Sequence, residues 1–147
     1  MRGISLLIMD KVVVDASLAL RWVLRDEKEA RVDNLLYQWA TSLTQMLVPP
    51  LFLSEVTNAL YLSVRRHRLT LGEARLALVT IMQVGLEMTE PAGLYPRSLD
   101  LAAEYDLTNA YDAQYIALAE IEGCDLWTAD ERLVRAVKPS PSWLRLT

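Results

Sequence analysis

The chain has very little of two residue types that build many metal sites, since it contains one cysteine, Cys124, and one histidine, His67. A lone cysteine excludes an intrachain disulfide and a thiolate metal site, and a lone histidine argues against zinc. We predict that Cys124 is a small buried apolar residue and that His67 is exposed in a basic turn. A metal centre in this chain must therefore use carboxylate oxygens, the donors that Mg²⁺ and Mn²⁺ prefer.

Long apolar runs and an excess of positive charge are also missing. No apolar run approaches the roughly 20 residues that cross a bilayer, and the run at 4–9 lacks the cleavage site of a signal peptide. These absences predict a cytoplasmic protein with no membrane partner. With 19 acidic and 15 basic residues, the net charge of −4 does not favour a nucleic-acid binder built on a general positive field. A local basic cluster at 65–68 still permits contacts with a phosphate backbone.

Hydrophobic residues make up 52% of the 147 positions, enough for one domain with a proper core. We predict a short leader at 1–10, in which Met9 is an alternative start, followed by one domain at 11–147. Strands are predicted at 11–15, 46–48, 86–89, 125–128 and 143–146. Helices are predicted at 17–24, 27–43, 50–68, 70–84, 95–105, 109–122 and 131–137. Strands that alternate with helices predict an α/β fold with a mostly parallel sheet.

Four carboxylates lie where apolar runs turn polar. Asp15 ends a run of three valines, and Asp130 follows the predicted strand at 125–128. Glu55 lies in the first turns of the helix that two prolines open, and Asp112 begins a nearly all-apolar helix. The carboxyl ends of parallel strands share one edge of a sheet, so these acids are expected to face one crevice. Because an isolated carboxylate is costly to desolvate, a shared divalent cation is the simplest partner.

Three of these acids also have purely structural interpretations. Asp15 fits a turn residue at a strand end. Glu55 fits a solvent-facing carboxylate near the positive end of a helix dipole. Asp112 fits a first-turn charge, with Asn109 as the N-cap.

The fourth acid, Asp130, has the strongest alternative. Thr128 and Glu131 form the spacing of a capping box, which makes Asp130 an ordinary residue at a helix start. Two further acids, Asp106 and Asp125, lie near the predicted site in sequence. Solvated loop positions are favoured for both over a supporting role at the site.

Four segments resemble the PIN-domain family, and more narrowly its VapC-type toxin ribonucleases. They are VVVDAS at 12–17, PLFLSEVTNAL at 50–60, YDAQYIALAE at 111–120 and TADERL at 128–133. One such segment is weak support, whereas four in the family's order, within a resemblance that runs from residue 11 to the C-terminus, are specific. The leader departs from the usual start of the family, in which the first Asp strand opens the chain.

The resemblance implies a compact α/β/α sandwich with a central, mostly parallel sheet, and an endoribonuclease that needs Mg²⁺ or Mn²⁺. It also implies an antitoxin protein that inhibits the enzyme, RNA as substrate, and a homodimer. By position, Asp15, Glu55 and Asp112 match the family's metal-binding acids and Asp130 matches the fourth. The accessory polar positions beside the metal are matched by Ser17 and Thr128.

The expected reaction is metal-assisted hydrolysis of a phosphodiester. Asp130 is expected either to bind a second metal or to orient water, and the scheme needs no histidine base. Weaker candidates for gripping the RNA backbone are the arginines Arg65, Arg66, Arg68 and Arg132.

Three other functions stay open at this stage. A doubly wound phosphotransferase with Asp15 as nucleophile commonly has a second acid two residues later, where this chain has Ser17. A PIN nuclease of RNA processing needs no antitoxin. A catalytically silent PIN-like module would act only through partner binding by the amphipathic helices at 27–43 and 50–68.

Overall fold

Five parallel strands form the centre of the molecule in the computed structural model, which describes residues 10–24 and 30–147. The strands are β1 Lys11–Val14, β2 Gln45–Val48, β3 Glu87–Met88, β4 Asp125–Thr128 and β5 Leu144–Leu146. The described helices are α1 Ala16–Val23, α2 Ala30–Thr41, α3 Phe52–Arg65, α4 Leu71–Met82, α5 Leu94–Glu104, α6 Tyr111–Glu122 and α7 Glu131–Ala136. The predicted leader lies outside the described residues except for Asp10, and so does the start of the helix predicted at 27–43.

The sheet has the order β3-β2-β1-β4-β5, and each of its four pairings is parallel. The helices form two groups: α1, α3 and α4 pack together, while α5 packs on α6, which contacts β1 and β4. The predicted α/β/α fold with its parallel sheet is confirmed. After β1 the chain moves to one side of the sheet and after β4 to the other, so a crevice opens between the carboxyl ends of these two strands.

The best-predicted elements have strong local signals. The three valines of β1 are buried, as expected for a β-branched strand covered on both faces. The predicted capping box of α4 is present, because the Thr70 hydroxyl accepts from the Glu73 backbone and the Glu73 carboxylate accepts from the Thr70 backbone. The predicted stop of α6 is also present, since Gly123 adopts a left-handed φ of 65° after the helix.

Two helices end earlier than predicted, and one of them is the helix predicted at 27–43, which ends at Thr41. The helix predicted at 50–68 begins at Phe52 and ends at Arg65. His67 has a φ of 59°, a left-handed conformation that a regular helix does not contain. His67 is exposed there, as predicted. The helix therefore stops inside the basic cluster.

Aromatic residues join α1 and α2 to the sheet. Trp39 makes edge-on contacts with Trp22 and Trp127, at ring-centroid distances of 6.4 and 6.0 Å, a favourable geometry for aromatic pairs. Trp22 and Trp39 are buried in the core, and Trp127 is partly buried against it. Cys124 packs against the core but is only half-buried. No helix among the described residues is long and apolar enough to cross a membrane.

Candidate active site

Asp15 lies at the carboxyl end of β1 and begins α1. Its Oδ1 accepts from the Leu18 backbone N–H at 3.0 Å, so Asp15 is the N-cap of α1. The same oxygen accepts from the Ser17 hydroxyl at 2.7 Å, and Oδ2 accepts from the Thr128 hydroxyl at 2.5 Å. The side chain is therefore fixed from both of the strand ends that border the crevice.

Ser17 and Thr128 form a clamp around this carboxylate. The Ser17 oxygen also accepts from the Ala129 backbone N–H at 3.0 Å, and the Thr128 oxygen accepts from the Asp130 N–H at 2.9 Å. Each hydroxyl has one proton and uses it to donate the hydrogen bond to Asp15. The 3.2 Å separation of the two hydroxyl oxygens is then a close contact between two acceptors, fixed by their shared partner.

Burial makes ionisation of Asp15 unfavourable. Its side chain is 6% exposed, and the resulting desolvation raises the pKa of this carboxyl to about 6. Hydrogen bonds from Thr128, Ser17 and the Leu18 backbone lower the pKa, and the negative charge of Asp112 raises it further. A buried carboxylate whose charged form is destabilised by desolvation is a candidate for binding a cation.

Asp130 follows β4, one strand away from Asp15. It is itself the N-cap of α7, since its Oδ1 accepts from the Arg132 backbone N–H at 2.9 Å. The sequence alternative, in which Thr128 caps this helix with Glu131, is wrong, because Thr128 is the last residue of β4 and donates its hydroxyl proton to Asp15. Asp130 is therefore held at the edge of the same crevice.

Glu55 reaches the site from the first turn of α3. Its Oε1 accepts a hydrogen bond from the phenol of Tyr115 on α6 at 2.5 Å. Burial raises the pKa of Glu55, the Tyr115 hydrogen bond lowers it, and the charge of Asp112 raises it. Glu55 thus lies close enough to Asp112 to be repelled by it.

Asp112 lies in the first turn of α6, on the same face as Tyr115 one turn later. Its pKa is raised by burial and by the charge of Asp130, and lowered by the guanidinium of Arg132. Because Asp112 also acts on Asp15 and Glu55, it is the electrostatic centre of the four acids.

The four predicted acids share one electrostatic neighbourhood, but their side chains are not arranged as a finished metal cage. Within residues 10–24 and 30–147, no three His, Cys, Asp or Glu side chains are placed so that they could hold a metal ion as they stand. The donor set nevertheless fits Mg²⁺ or Mn²⁺, because it is made of oxygens and carries the excess negative charge that a divalent cation offsets. Binding would require rotations of the less restrained acids, such as Asp112.

The predicted RNA-contacting arginines are not all at the site. Arg132 is near it, with its Nε 3.8 Å from Asp130 Oδ1 and its side chain exposed. By contrast, Arg65, Arg66 and Arg68 are exposed at the far end of α3. Even the nearest of them is ten residues from Glu55, about 15 Å along a helix axis.

The opposite edge of the sheet contains a cleft of about 670 Å³ lined by residues that include Lys11, Glu122 and Asp125. Two ion pairs lie at this cleft: Lys11 is 3.4 Å from Glu122, and Arg145 is 3.2 Å from Asp125. Asp125 begins β4, whereas the candidate site is at the other end of this strand. Asp125 therefore has no supporting role at the site. Asp106 is an exposed loop residue with a φ of 51°.

Comparisons with known proteins agree with this geometry. The family model described as PIN domain matches residues 12–139. Among curated proteins, a VapC ribonuclease of Mycobacterium bovis and ribonuclease VapC9 of Mycobacterium tuberculosis are each 34% identical to the chain over 122 residues, which are 83% of this chain and 87% of the relative.

Solved structures have the same fold. PAE2754 of Pyrobaculum aerophilum is 25% identical with a TM-score of 0.66, and the match covers 90% of this chain and 88% of that one. VapBC2 of Rickettsia felis, solved bound to a DNA fragment from its promoter, has a TM-score of 0.63 at 15% identity, with 93% and 97% covered. VapC20 of M. tuberculosis, described as a toxin that cleaves the sarcin-ricin loop, has a TM-score of 0.57 at 19% identity, with 88% and 99% covered.

Proposed function

The chain belongs to the PIN domain family, and on that premise we propose that it is an RNA-cleaving toxin of a toxin–antitoxin system. The observation that carries the proposal is the set of four acids at the sheet's carboxyl edge, centred on a buried Asp15 clamped by two hydroxyls. Relatives that are named VapC ribonucleases and match over most of the chain support RNA as the substrate.

We propose that the activity depends on Mg²⁺ or Mn²⁺. The ligands would be Asp15, Glu55 and Asp112, and Asp130 would bind a second ion or orient water. A bound cation would lower the pKa of a water molecule and offset charge on the scissile phosphate. Ser17 and Thr128 hold the Asp15 carboxylate in place, which leaves Asp15 less freedom to rotate when substrate binds.

The contact with RNA is proposed to be local. Arg132 is the best-placed basic side chain, because it is exposed and close enough to lower the pKa of Asp112. It can bind a phosphate beside the acids. The basic cluster at 65–68 is a more distant candidate for the RNA backbone.

We further propose that an antitoxin protein neutralises the enzyme and that the chain works as a homodimer in the cytoplasm. The antitoxin is supported by solved relatives, namely the Rickettsia felis VapBC2 protein and a toxin–antitoxin complex from Klebsiella pneumoniae with a TM-score of 0.57 at 17% identity. One nuclease domain at 11–147, preceded by a leader at 1–10, completes this proposal.

The test is cleavage of a mixed pool of structured RNAs by purified, antitoxin-free protein with Mn²⁺ or Mg²⁺. Wild-type protein is compared with Asp15→Asn and with an EDTA control. Cleavage that needs both the metal and Asp15 supports the proposal. Cleavage that survives Asp15→Asn points to a contaminating nuclease. Absence of cleavage by folded wild-type protein on every RNA in the pool favours a module that acts only by binding.

A further inference from the structure

Tyr115 is a buried polar residue that the proposed chemistry does not use. It is 1% exposed and one of the largest fully buried side chains of the described residues. Its hydroxyl donates to Glu55 Oε1 at 2.5 Å. A buried phenol needs a hydrogen-bond partner, but here the partner is one of the four acids and comes from a different helix. Tyr115 is not among the site residues predicted from the sequence.

The position of Tyr115 gives the contact its significance. Tyr115 and Asp112 are three residues apart on α6 and therefore lie on one helix face. Through its phenol, α6 fixes Glu55 of α3 relative to Asp112. Two sets of hydrogen bonds thus connect the elements of the four-acid site. The hydroxyl clamp joins the ends of β1 and β4, and Tyr115 joins α3 to α6.

Glu55 needs such a restraint more than Asp15 does. A glutamate side chain has three rotatable bonds and loses considerable conformational freedom when it is fixed. The charge of Asp112 repels Glu55 and raises its pKa, which favours rotation of the ionised Glu55 side chain away from the site. Tyr115 has two rotatable bonds that burial has already fixed, so its hydroxyl is a rigid anchor for a flexible acid.

The phenol is also in the right protonation state for this role. Burial raises the pKa of Tyr115, and so do the negative charge of Glu55 and its hydrogen bond. The hydroxyl therefore stays protonated at neutral pH and donates its proton to Oε1. Among the described residues no other donor contacts Glu55, so Oε2 is left for a cation.

We propose that Tyr115 is a positioning residue that holds Glu55 for metal binding through the hydrogen bond between its hydroxyl and Oε1. This inference rests on the proposed metal-dependent nuclease function. Removing a group that orients a metal ligand typically weakens metal affinity or activity by about 10- to 100-fold. A buried phenol that is merely structural would change stability and leave metal affinity unchanged.

The test compares wild-type protein with Tyr115→Phe, which removes one oxygen atom and keeps the ring. Tyr61→Phe is the matched control, because Tyr61 lies on α3, as Glu55 does, but is 54% exposed. Mn²⁺ affinity is measured by the electron paramagnetic resonance signal of free Mn²⁺, and RNA cleavage is measured over a range of Mg²⁺ concentrations. Circular dichroism and melting in EDTA report whether each variant folds.

We expect Tyr115→Phe to bind Mn²⁺ about 10-fold more weakly and to need correspondingly more Mg²⁺ for half-maximal cleavage. Saturating metal should restore most of the cleavage rate, which a merely unfolded or misfolded variant would not show. Tyr61→Phe should match wild type in both measurements. Equal Mn²⁺ affinity of Tyr115→Phe and wild type would overturn the inference while leaving the nuclease proposal intact.

A double-mutant cycle with Glu55→Gln separates positioning from a general packing effect. If Tyr115 acts through Glu55, the double variant should bind Mn²⁺ no more weakly than Glu55→Gln alone. Independent, additive losses would contradict the inference. Wild-type protein that binds no Mn²⁺ and cuts no RNA would overturn both this inference and the proposed function.

Discussion

Asp15 serves two purposes with one carboxylate. It caps α1 by accepting from the Leu18 N–H, and it is the most buried of the four acids. The structural interpretation and the functional interpretation of this residue are therefore compatible. The cap and the hydroxyl clamp fix the side chain, and burial gives the charged form a high free energy. Stability and the proposed cation binding place opposite demands on this position.

Replacement of Asp15 by Asn removes the titrating group but also the oxygen that accepts from Thr128, so the stability of the metal-free variant relative to wild type should rise from pH 5 to pH 8. The pKa of Asp15 is about 6 in the folded state, against an ordinary value of 3.8 for this carboxyl. Its contribution to stability is therefore most favourable below pH 3.8 and declines as the pH rises through 6. A shift of this size corresponds to at most about 3 kcal/mol. Asn can keep the cap and does not titrate.

The measurement is urea unfolding in EDTA at pH 5 and pH 8. Asp100→Asn, at an exposed position of α5, is the control for loss of a carboxylate outside the site. An Asp15→Asn variant whose stability relative to wild type is the same at pH 5 and pH 8 would contradict the assigned burial cost.

At the scale of elements, capping supplies a test that does not involve the site. Thr70→Ala removes the side chain that accepts from the Glu73 N–H at the start of α4, which should cost about 1 kcal/mol. Thr80→Ala is the matched control on the same helix, since its hydroxyl only bonds back to the Leu76 carbonyl. That change should be neutral or slightly stabilising.

Chemical denaturation of the two variants beside wild type measures both effects. Equal losses for Thr70→Ala and Thr80→Ala would mean that the capping box does not stabilise the helix start. Neither residue belongs to the proposed active site, so metal-dependent RNA cleavage should continue in both variants.

The same local signals explain why most elements were predictable. The valine run of β1, the capping box of α4 and Gly123 after α6 each depend on a few neighbouring residues. The end of α3 was missed because a left-handed φ at His67 has no sequence marker comparable to glycine. The start of α7 at Glu131 was predicted correctly, but the alternative in which Thr128 caps this helix is wrong, because the Thr128 hydroxyl donates to Asp15 across the sheet.

The acids of the site were predictable by position, but their roles remain predictions. Strand ends and helix starts could be read from the sequence, and parallel topology then placed Asp15 and Asp130 at one edge. The Tyr115–Glu55 contact was missed because it joins residues 60 positions apart and depends on how α3 and α6 rotate. The available signal was the spacing of Tyr115 from Asp112, one helical turn on the same face.

The whole molecule brings together like charges from four separate elements. Asp15 follows β1, Glu55 is on α3, Asp112 is on α6, and Asp130 begins α7. The fold therefore holds these acids against desolvation and Coulomb repulsion, since burial and, to a lesser degree, neighbouring negative charge raise the pKa of Asp15, Glu55 and Asp112. A protein that maintains such an arrangement gains stability from any cation that binds the folded state and not the unfolded chain.

Mg²⁺ or Mn²⁺ should consequently raise the melting temperature of the wild-type protein. A ligand that binds only the folded state stabilises it by about 2.7 kcal/mol at a concentration 100 times its dissociation constant. The comparison is differential scanning calorimetry at neutral pH with EDTA, with Mg²⁺, and with NaCl of equal ionic strength, because screening alone reduces repulsion among the acids. Asp112→Asn is the informative variant, since the charge of Asp112 raises the pKa of both Asp15 and Glu55. This variant should melt at a higher temperature than wild type in EDTA, and Mg²⁺ should raise its melting temperature by less. A gain from Mg²⁺ no larger than that from NaCl would count against a metal site at this edge.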